Sequence, residues 1–469
     1  MGQNRYKKLF NNSLIFSIGD IGSKGITLLL VPLYTFHLTQ SEYGTIDLIQ
    51  VMINLLIPIL SLSIFEAVLR YVMDKEDTSS VFTNCFFITF VSSMLITLVF
   101  TIIYLLTGND ILPYVCIILI LHLFQSLYSQ FIRGIGKVKV FAINGILLAF
   151  TIAIMNVVFI ACLKLGIEGY LLSTVIGLVV SLLYINLNVN TLKYIKLSSF
   201  SMKMSKKLLN YSLPLMPNSI MWWIINASSR YFILLFAGTS FNGLFAVASK
   251  IPSVLSIFNS IFFKAWQLSA IEEYESSNKS TFYSTIFNYY QQFLFIVMGV
   301  ILLFLKPIFE IAIGSDFYRA WEYVPFLLIA ILFSSFSSFL GANYIASKET
   351  KGVFKSSIIG GVTNVTLNLI TIPLFGVIGA SFSSMISFLV MTIIRWHDTK
   401  KYIRLEYKYK NIFINFISIC LQISTMYWNL ERIIEFTLQL LILCLILVNN
   451  RIVLKSTIEM IKNKVNKKR

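Results

Sequence analysis

Charge is scarce in this chain. Of 469 residues only 13% are charged, against 57% hydrophobic and 15% aromatic. One water-soluble core cannot enclose that much apolar side chain, so composition excludes an ordinary soluble domain and leaves a polytopic membrane protein. Cysteine is sparser still. Cys85, Cys116, Cys162, Cys420 and Cys444 sit singly in hydrophobic stretches without CxxC spacing, which excludes a disulfide framework and a thiolate metal site. His37, His122 and His397 are equally scattered and offer no metal-ligand spacing. No GxxxxGK[ST] sequence occurs, which argues against ATP hydrolysis by this chain. The longest outward loop, about Lys306 to Glu322, is too short to carry the catalytic groups of a membrane polymerase or glycosyltransferase. The expectation is a protein that is not an enzyme, holds no metal and has no cofactor, with an ion gradient or the membrane potential as the candidate driving force.

What is present is length of hydrophobic run. A span needs about 20 apolar residues to cross roughly 30 Å of hydrocarbon, and fourteen stretches qualify, from 13–36 and 46–69 through 210–236 to 411–430 and 433–450. The expected fold is therefore all-α, with about fourteen transmembrane helices. Alternating the loops between the two sides separates the basic residues sharply. Of the 38 Lys and Arg, only Lys164, Lys306, Arg319 and Arg432 fall opposite the N-terminal side, while Lys24, Arg230 and Lys250 lie inside spans. Basic loops stay in the cytoplasm, so both termini are expected there. The net charge of +17 is dispersed over short segments and reads as these loops, with no nucleic-acid surface. The run Lys462 to Arg469 is suited to anionic headgroups. The first apolar stretch is too long for a signal peptide, is interrupted by Asp20 and Lys24, and lacks a small-residue cleavage site.

The chain also repeats itself. A shift of 199 positions lays KKLFNNSL (7–14) on KKLLNYSL (206–213) with six of eight identities, and carries the turn ending at Gly44 onto the turn ending at Gly243. The turns KLGIEG (164–169) and LFGVIG (374–379) share G-x-x-G spacing at a shift of 210. This gives a six-helix lobe over 1–190, a cytoplasmic linker over 191–209, a second six-helix lobe over 210–396, and two further helices with a basic tail over 397–469. Six spans per lobe make both enter from the same side, so a parallel pseudo-twofold along the membrane normal is expected.

Helical neighbours at three- and four-residue steps share a face. In the first span Ser13, Ser17, Asp20, Lys24 and Thr27 form such a stripe; at the repeat shift Ser212, Met216, Ser219, Trp223 and Asn226 follow, with Arg230 one step further. Polar faces turned to lipid are unfavourable, so both stripes are expected to line one central hydrated cavity. A Lys or Arg at a helix centre costs roughly 2.5–3.5 kcal/mol to insert. Lys24 lies on the order of 17 Å deep at 1.5 Å per residue, Lys250 sits mid-span, and Arg230 lies near an outer end. Asp20 and Lys24 at i and i+4 can instead neutralise each other, Lys250 can snorkel to the surface, and Arg230 can anchor the interface. Glu66 and Arg70 form another i, i+4 pair, a structural or gate pair. Pro32, Pro214 and Pro217 interrupt the ladders of the two striped helices.

The segments NNSLIFSIGDIGSKGITLLLVPLYTFHLTQSEYGTIDL and NYSLPLMPNSIMWWIINASSRYFILLFAGTSFNGLFAVASKI resemble those of polysaccharide repeat-unit (O-antigen or capsule) flippases. These belong to the multidrug, oligosaccharidyl-lipid and polysaccharide exporter superfamily, which also holds the multidrug and toxic compound extruders. The resemblance runs over roughly the first 400 residues, with Leu38 to Gly44 (L-x-x-x-E-Y-G) and Tyr211 to Leu215 as its most recognisable pieces. It implies two lobes in a V shape, with the first and seventh helices at the cleft. It also implies translocation of a polyprenyl-pyrophosphate-linked glycan across a bacterial cytoplasmic membrane, with membrane lipids and the pathway's glycosyltransferases and polymerase as partners, and the last two helices guiding the lipid tail. A pyrophosphate in low dielectric needs positive charge, which Lys24, Arg230 and Lys250 can supply. Relatives that move cell-wall precursors crowd several arginines onto the first helix; here one Lys stands beside Asp20. The alternative of the same fold is a cation-coupled multidrug antiporter, with Asp20 as its carboxylate. A purely structural scaffold gives no reason for matched stripes.

Overall fold

Within hydrocarbon every backbone N–H and C=O has to be satisfied inside its own segment, which favours helices. The computed structural model describes residues 2–74, 76–274, 276–347, 351–428 and 430–451, with backbone alone at some helical positions that include Ser17, Asp20 and Asn226. It is helical almost throughout: α1 (Gly2–His37), α2 (Gln40–Leu60), α3 (Ile64–Met73), α4 (Thr78–Thr107), α5 (Ile111–Gly134), α6 (Val138–Asn156), α7 (Gly166–Val189), α8 (Met202–Ser212), α9 (Met216–Ala237), α10 (Thr239–Glu273), α11 (Lys279–Ala312), α12 (Val324–Ala346), α13 (Lys351–Phe375), α14 (Val377–Thr399), α15 (Tyr409–Tyr427) and α16 (Arg432–Asn449). Among the described residues eleven helical segments are long and apolar enough to cross a membrane. The remaining hydrophobic stretches of the expected fourteen fall on α1, α9 and α15, which are helical as well. The basic run Lys462 to Arg469 lies outside the described residues.

Two expected spans are interrupted. The stretch 46–69, read as one helix, breaks between α2 and α3, where Leu62 and Ser63 adopt φ of 51° and 52°. Serine side chains that bond to nearby backbone compete with the helical ladder. Here the Ser63 amide donates to Ser61 Oγ (3.2 Å) and to the Pro58 carbonyl (3.0 Å). The stretch 210–236 divides into α8, a 3-10 turn (Leu213–Leu215) and α9, with Pro214 and Pro217 at the joint.

The chain forms two compact units, one of Met1–Leu234 with Gly238–Gly243 and one of Leu235–Ala237 with Leu244–Arg469. In the first unit Phe82 and Phe131 pack at 4.1 Å between centroids in a core shared with Ile64, Leu127, Ile185 and Leu208. The segment read from sequence as a linker is folded onto α4. Thr83 Oγ1 donates to the Tyr194 carbonyl (2.9 Å) and accepts from the Lys196 amide (3.0 Å). Asn84 Oδ1 accepts from the Ser201 amide (3.0 Å) and from Ser205 Oγ (2.9 Å). Lys207 on α8 is bonded to Glu76, which holds its ammonium above the usual lysine range.

The repeat-equivalent turns meet in the first unit. A Cβ added at Gly44 would overlap the Thr239 carbonyl oxygen, and one at Gly243 would overlap that of Gln40. Both pairs are related by the shift of 199. Asn242 Nδ2 bonds the Gly44 carbonyl at 3.0 Å, and Ser41 Oγ lies 2.8 Å from Thr239 Oγ1. Glycine is needed at both positions because backbone lies against backbone.

In the second unit buried amides join the two C-terminal helices to each other and to α11. Asn415 and Asn450 donate to each other's Oδ1 (3.0 and 2.8 Å), and Gln439 Nε2 donates to the Gln422 carbonyl (2.7 Å). Gln291 of α11 donates to Asn411 Oδ1 at 2.6 Å. Hydrophobicity cannot drive association between helices already in lipid, so such interhelical bonds and close packing do.

Candidate polar site of the first unit

The L-x-x-x-E-Y-G turn organises one end of the first unit. Thr39 is the N-cap of α2, and Glu42 closes a capping box: Thr39 Oγ1 accepts from the Glu42 amide (3.2 Å), while the Thr39 amide donates to Glu42 Oε2 (2.8 Å). Tyr43 is thereby buried against Tyr34 of α1, at 5.6 Å between centroids, and Tyr34 lies 5.9 Å from Tyr170 of α7. Tyr34 OH accepts from Asn156 Nδ2 (2.9 Å), just before a π-helical turn (Val157–Cys162), and Tyr170 OH donates to Gln50 (3.1 Å).

One turn after Tyr43, Asp47 accepts from Arg230 Nε of α9 at 2.6 Å, with the two side chains 10% and 17% exposed. Trp223 Nε1 donates across the same helix pair to the Val51 carbonyl (2.8 Å), and its ring lies 5.3 Å from that of Tyr231. Arg230, read from sequence as an interfacial anchor or a substrate cation, is instead ion-paired inside the unit. Removing one partner of a buried pair leaves an uncompensated charge.

The other expected residues fall into three groups. Gly19 and Gly22 of α1 abut Ala142 and Ile146 of α6. Lys24 is about 200° round the helix from Gly22. It is exposed, as is Thr27, and Lys24 has no hydrogen bond or ion pair with a described side chain. Ser219 is half-buried and bonds back to the Leu215 carbonyl (3.4 Å). The side chains of Ser17, Asp20 and Asn226 lie outside the description. Lys250, in the second unit, is half-buried on α10 two residues before Pro252. Arg70 does not pair with Glu66 but with Asp74, at 3.0 Å, at an exposed end of α3.

Four charged groups were overlooked or misassigned in the sequence. Asp47 sits at the edge of the second span, where an acid within a hydrophobic run is itself a signal. Lys306, assigned to an outer loop, belongs to α11; it bonds Glu435 (2.8 Å) and the Met426 carbonyl (2.7 Å) under the Trp321 ring. Glu310 likewise meets Arg432 at 2.7 Å. Arg395, grouped with cytoplasmic loop charges, is buried in α14, donating to Ser356 (2.9 Å), Ser357 (3.0 Å) and the Ser337 carbonyl (2.9 Å).

A family described as polysaccharide biosynthesis protein matches residues 9–267, more than half of the chain and the whole of this polar site. The chain belongs to that family. A curated relative, the probable low-salt glycan biosynthesis flippase Agl15 of Haloferax volcanii, is 22% identical over 418 residues, covering 86% of each chain. Among solved structures the lipid II flippase MurJ, in an inward closed conformation, has a TM-score of 0.70 at 15% identity, covering 95% of this chain and 100% of its own. An inward-facing multidrug resistance MATE transporter reaches 0.61 at 15% identity, over 84% and 94%. The chain therefore shares the fold of these flippase and transporter structures, as the sequence resemblance implied. These similar proteins are described as flippases and transporters.

The Asp47–Arg230 pair should show the asymmetry of buried charge. Arg230→Met is expected to destabilise the purified protein by about 3–5 kcal/mol and Arg230→Met with Asp47→Leu by much less; thermal melting in detergent reads both. An Arg230→Met variant as stable as wild type would contradict the assignment.

Proposed function

We propose that the protein is a flippase that moves polyprenyl-pyrophosphate-linked oligosaccharide repeat units across the cytoplasmic membrane by alternating access, for cell-surface polysaccharide biosynthesis. The observation that carries the reading is Lys24, a cation exposed midway along a hydrophobic helix and bonded to no described side chain. Family membership supplies the glycan, and the chemistry of Lys24 supplies an anion. Arg230 is held by Asp47, so Lys24 is the cation assigned to the pyrophosphate; Lys250, in the second unit and with an interaction of its own, is assigned a part in export. Both termini are placed in the cytoplasm by the distribution of lysine and arginine. The driving force is assigned to an ion gradient or the membrane potential, with no cofactor.

A second reading, a cation-coupled antiporter of small molecules, is favoured by one feature: Asp20 lies one turn before Lys24 on α1, and the MATE fold is shared. The two readings separate in cells. Lys24→Ala and Lys250→Ala should each lower surface glycan several-fold and leave lipid-linked units on the cytoplasmic face, at unchanged membrane abundance. Wild-type glycan in both would overturn the assignment. Loss of ion-driven uptake of small cations in Asp20→Asn, with glycan intact, would install the antiporter.

Alternating access requires the turn contact at Gly44 and Gly243 to part. Ser41→Cys with Thr239→Cys, replacing side chains whose oxygens lie 2.8 Å apart, should stop export when crosslinked and restore it on reduction. Export that continues in the crosslinked protein would contradict the mechanism.

A further inference from the structure

A groove of about 570 Å³ enters the first unit among α4, α5 and α7. Phe86, Phe90 and Met94 of α4, Phe124 of α5 and Leu183 of α7 line it. Phe90, Met94 and Leu183 are 42%, 58% and 56% exposed, so the groove is open on an apolar outer face, and neither Asp47 nor Arg230 lines it.

Its end at Leu192 is built from polar contacts and leads into two lysines. Asn186 closes one end, its Oδ1 accepting from Thr191 Oγ1 (3.0 Å) and from the Leu192 amide (3.4 Å), which sets Leu192 on the rim. Lys193 follows directly, and Lys196 is fixed through its amide on Thr83 Oγ1 (3.0 Å). Both lysines are exposed, and neither makes an ion pair with a described side chain, whereas Lys207 nearby in sequence is neutralised by Glu76. Leu187, Leu192 and Leu197, 83%, 57% and 79% exposed, flank these cations. Exposed leucines beside exposed lysines are the pattern of a segment at headgroup level.

A hydrocarbon slot lined at one end by Leu192, with exposed cations one and four residues further on, fits one acyl chain of an amphiphile with a negative head. We infer that this groove is a binding site for an anionic phospholipid of the leaflet on the basic side, with an acyl chain among Phe86, Phe90, Met94 and Phe124 and its phosphate at Lys193 and Lys196. The occupant is a phospholipid rather than the transported lipid because the groove is open on an apolar outer face, where phospholipid is the abundant amphiphile. The assignment rests on the membrane fold and stands or falls apart from the proposed substrate.

Native mass spectrometry of the delipidated full chain tests it, with phosphatidylglycerol and phosphatidylcholine of identical acyl chains and undecaprenyl phosphate as probes. Phosphatidylglycerol should bind more tightly than phosphatidylcholine by about fivefold per lysine, and Lys193→Gln with Lys196→Gln should erase the preference. Met94→Trp, a bulky change at an exposed position, should reduce binding of both phospholipids at an unchanged melting temperature. Equal binding of the two phospholipids, indifference to Met94→Trp, or preferential displacement of phosphatidylglycerol by undecaprenyl phosphate would each overturn the inference.

Discussion

Charge placed in hydrocarbon has to be compensated, and the interior of both units is arranged around that cost. Three solutions are visible. Asp47 with Arg230, and Lys306 with Glu435, form ion pairs between helices distant in sequence. Arg395 is surrounded by serine hydroxyls and a carbonyl. Lys24 takes neither course, since it stands exposed on α1 with no described partner. The pairs bind helices together, and the exposed cation is the one assigned to a ligand in the proposed function.

The short motif of the second helix has an architectural explanation. Thr39 and Glu42 cap α2, Tyr43 enters the tyrosine cluster, and Gly44 allows the first turn of α10 to lie directly against it. Duplication adds a reason for the glycines. When equivalent turns cross, each presents the same backbone to the other, so both positions tolerate no side chain. A motif this short can therefore be fixed by the packing of its own turn.

Hydrophobic length and the repeat were legible in the sequence because spans are set by bilayer thickness and repeats by register; the helical class and the turn at Gly44 follow from them. Pairing was not legible. Asp47 and Arg230 are 183 positions apart, and nothing in either local sequence selects the other. Periodicity placed Arg230 on a polar stripe correctly as a helical position, but it could not tell a cation facing a carboxylate from one facing a cavity. Arg395 and Lys306 were misplaced for a related reason: a basic residue near a predicted span end looks like a loop residue until its helix proves longer. The break at Leu62 and Ser63 depends on serine side chains competing for backbone, a local choice that hydropathy averages away.

The account's central claim is that an anionic lipid-linked glycan is the cargo and that Lys24 engages it. The most direct measurement is translocation in proteoliposomes, with the purified full chain and a fluorescent polyprenyl-pyrophosphate oligosaccharide whose outward-facing label is quenched chemically. The account predicts that the protected fraction becomes accessible far faster with the wild-type chain than in protein-free vesicles or with Lys24→Gln. Movement no faster than in protein-free vesicles, or equal movement with Lys24→Gln, would contradict it.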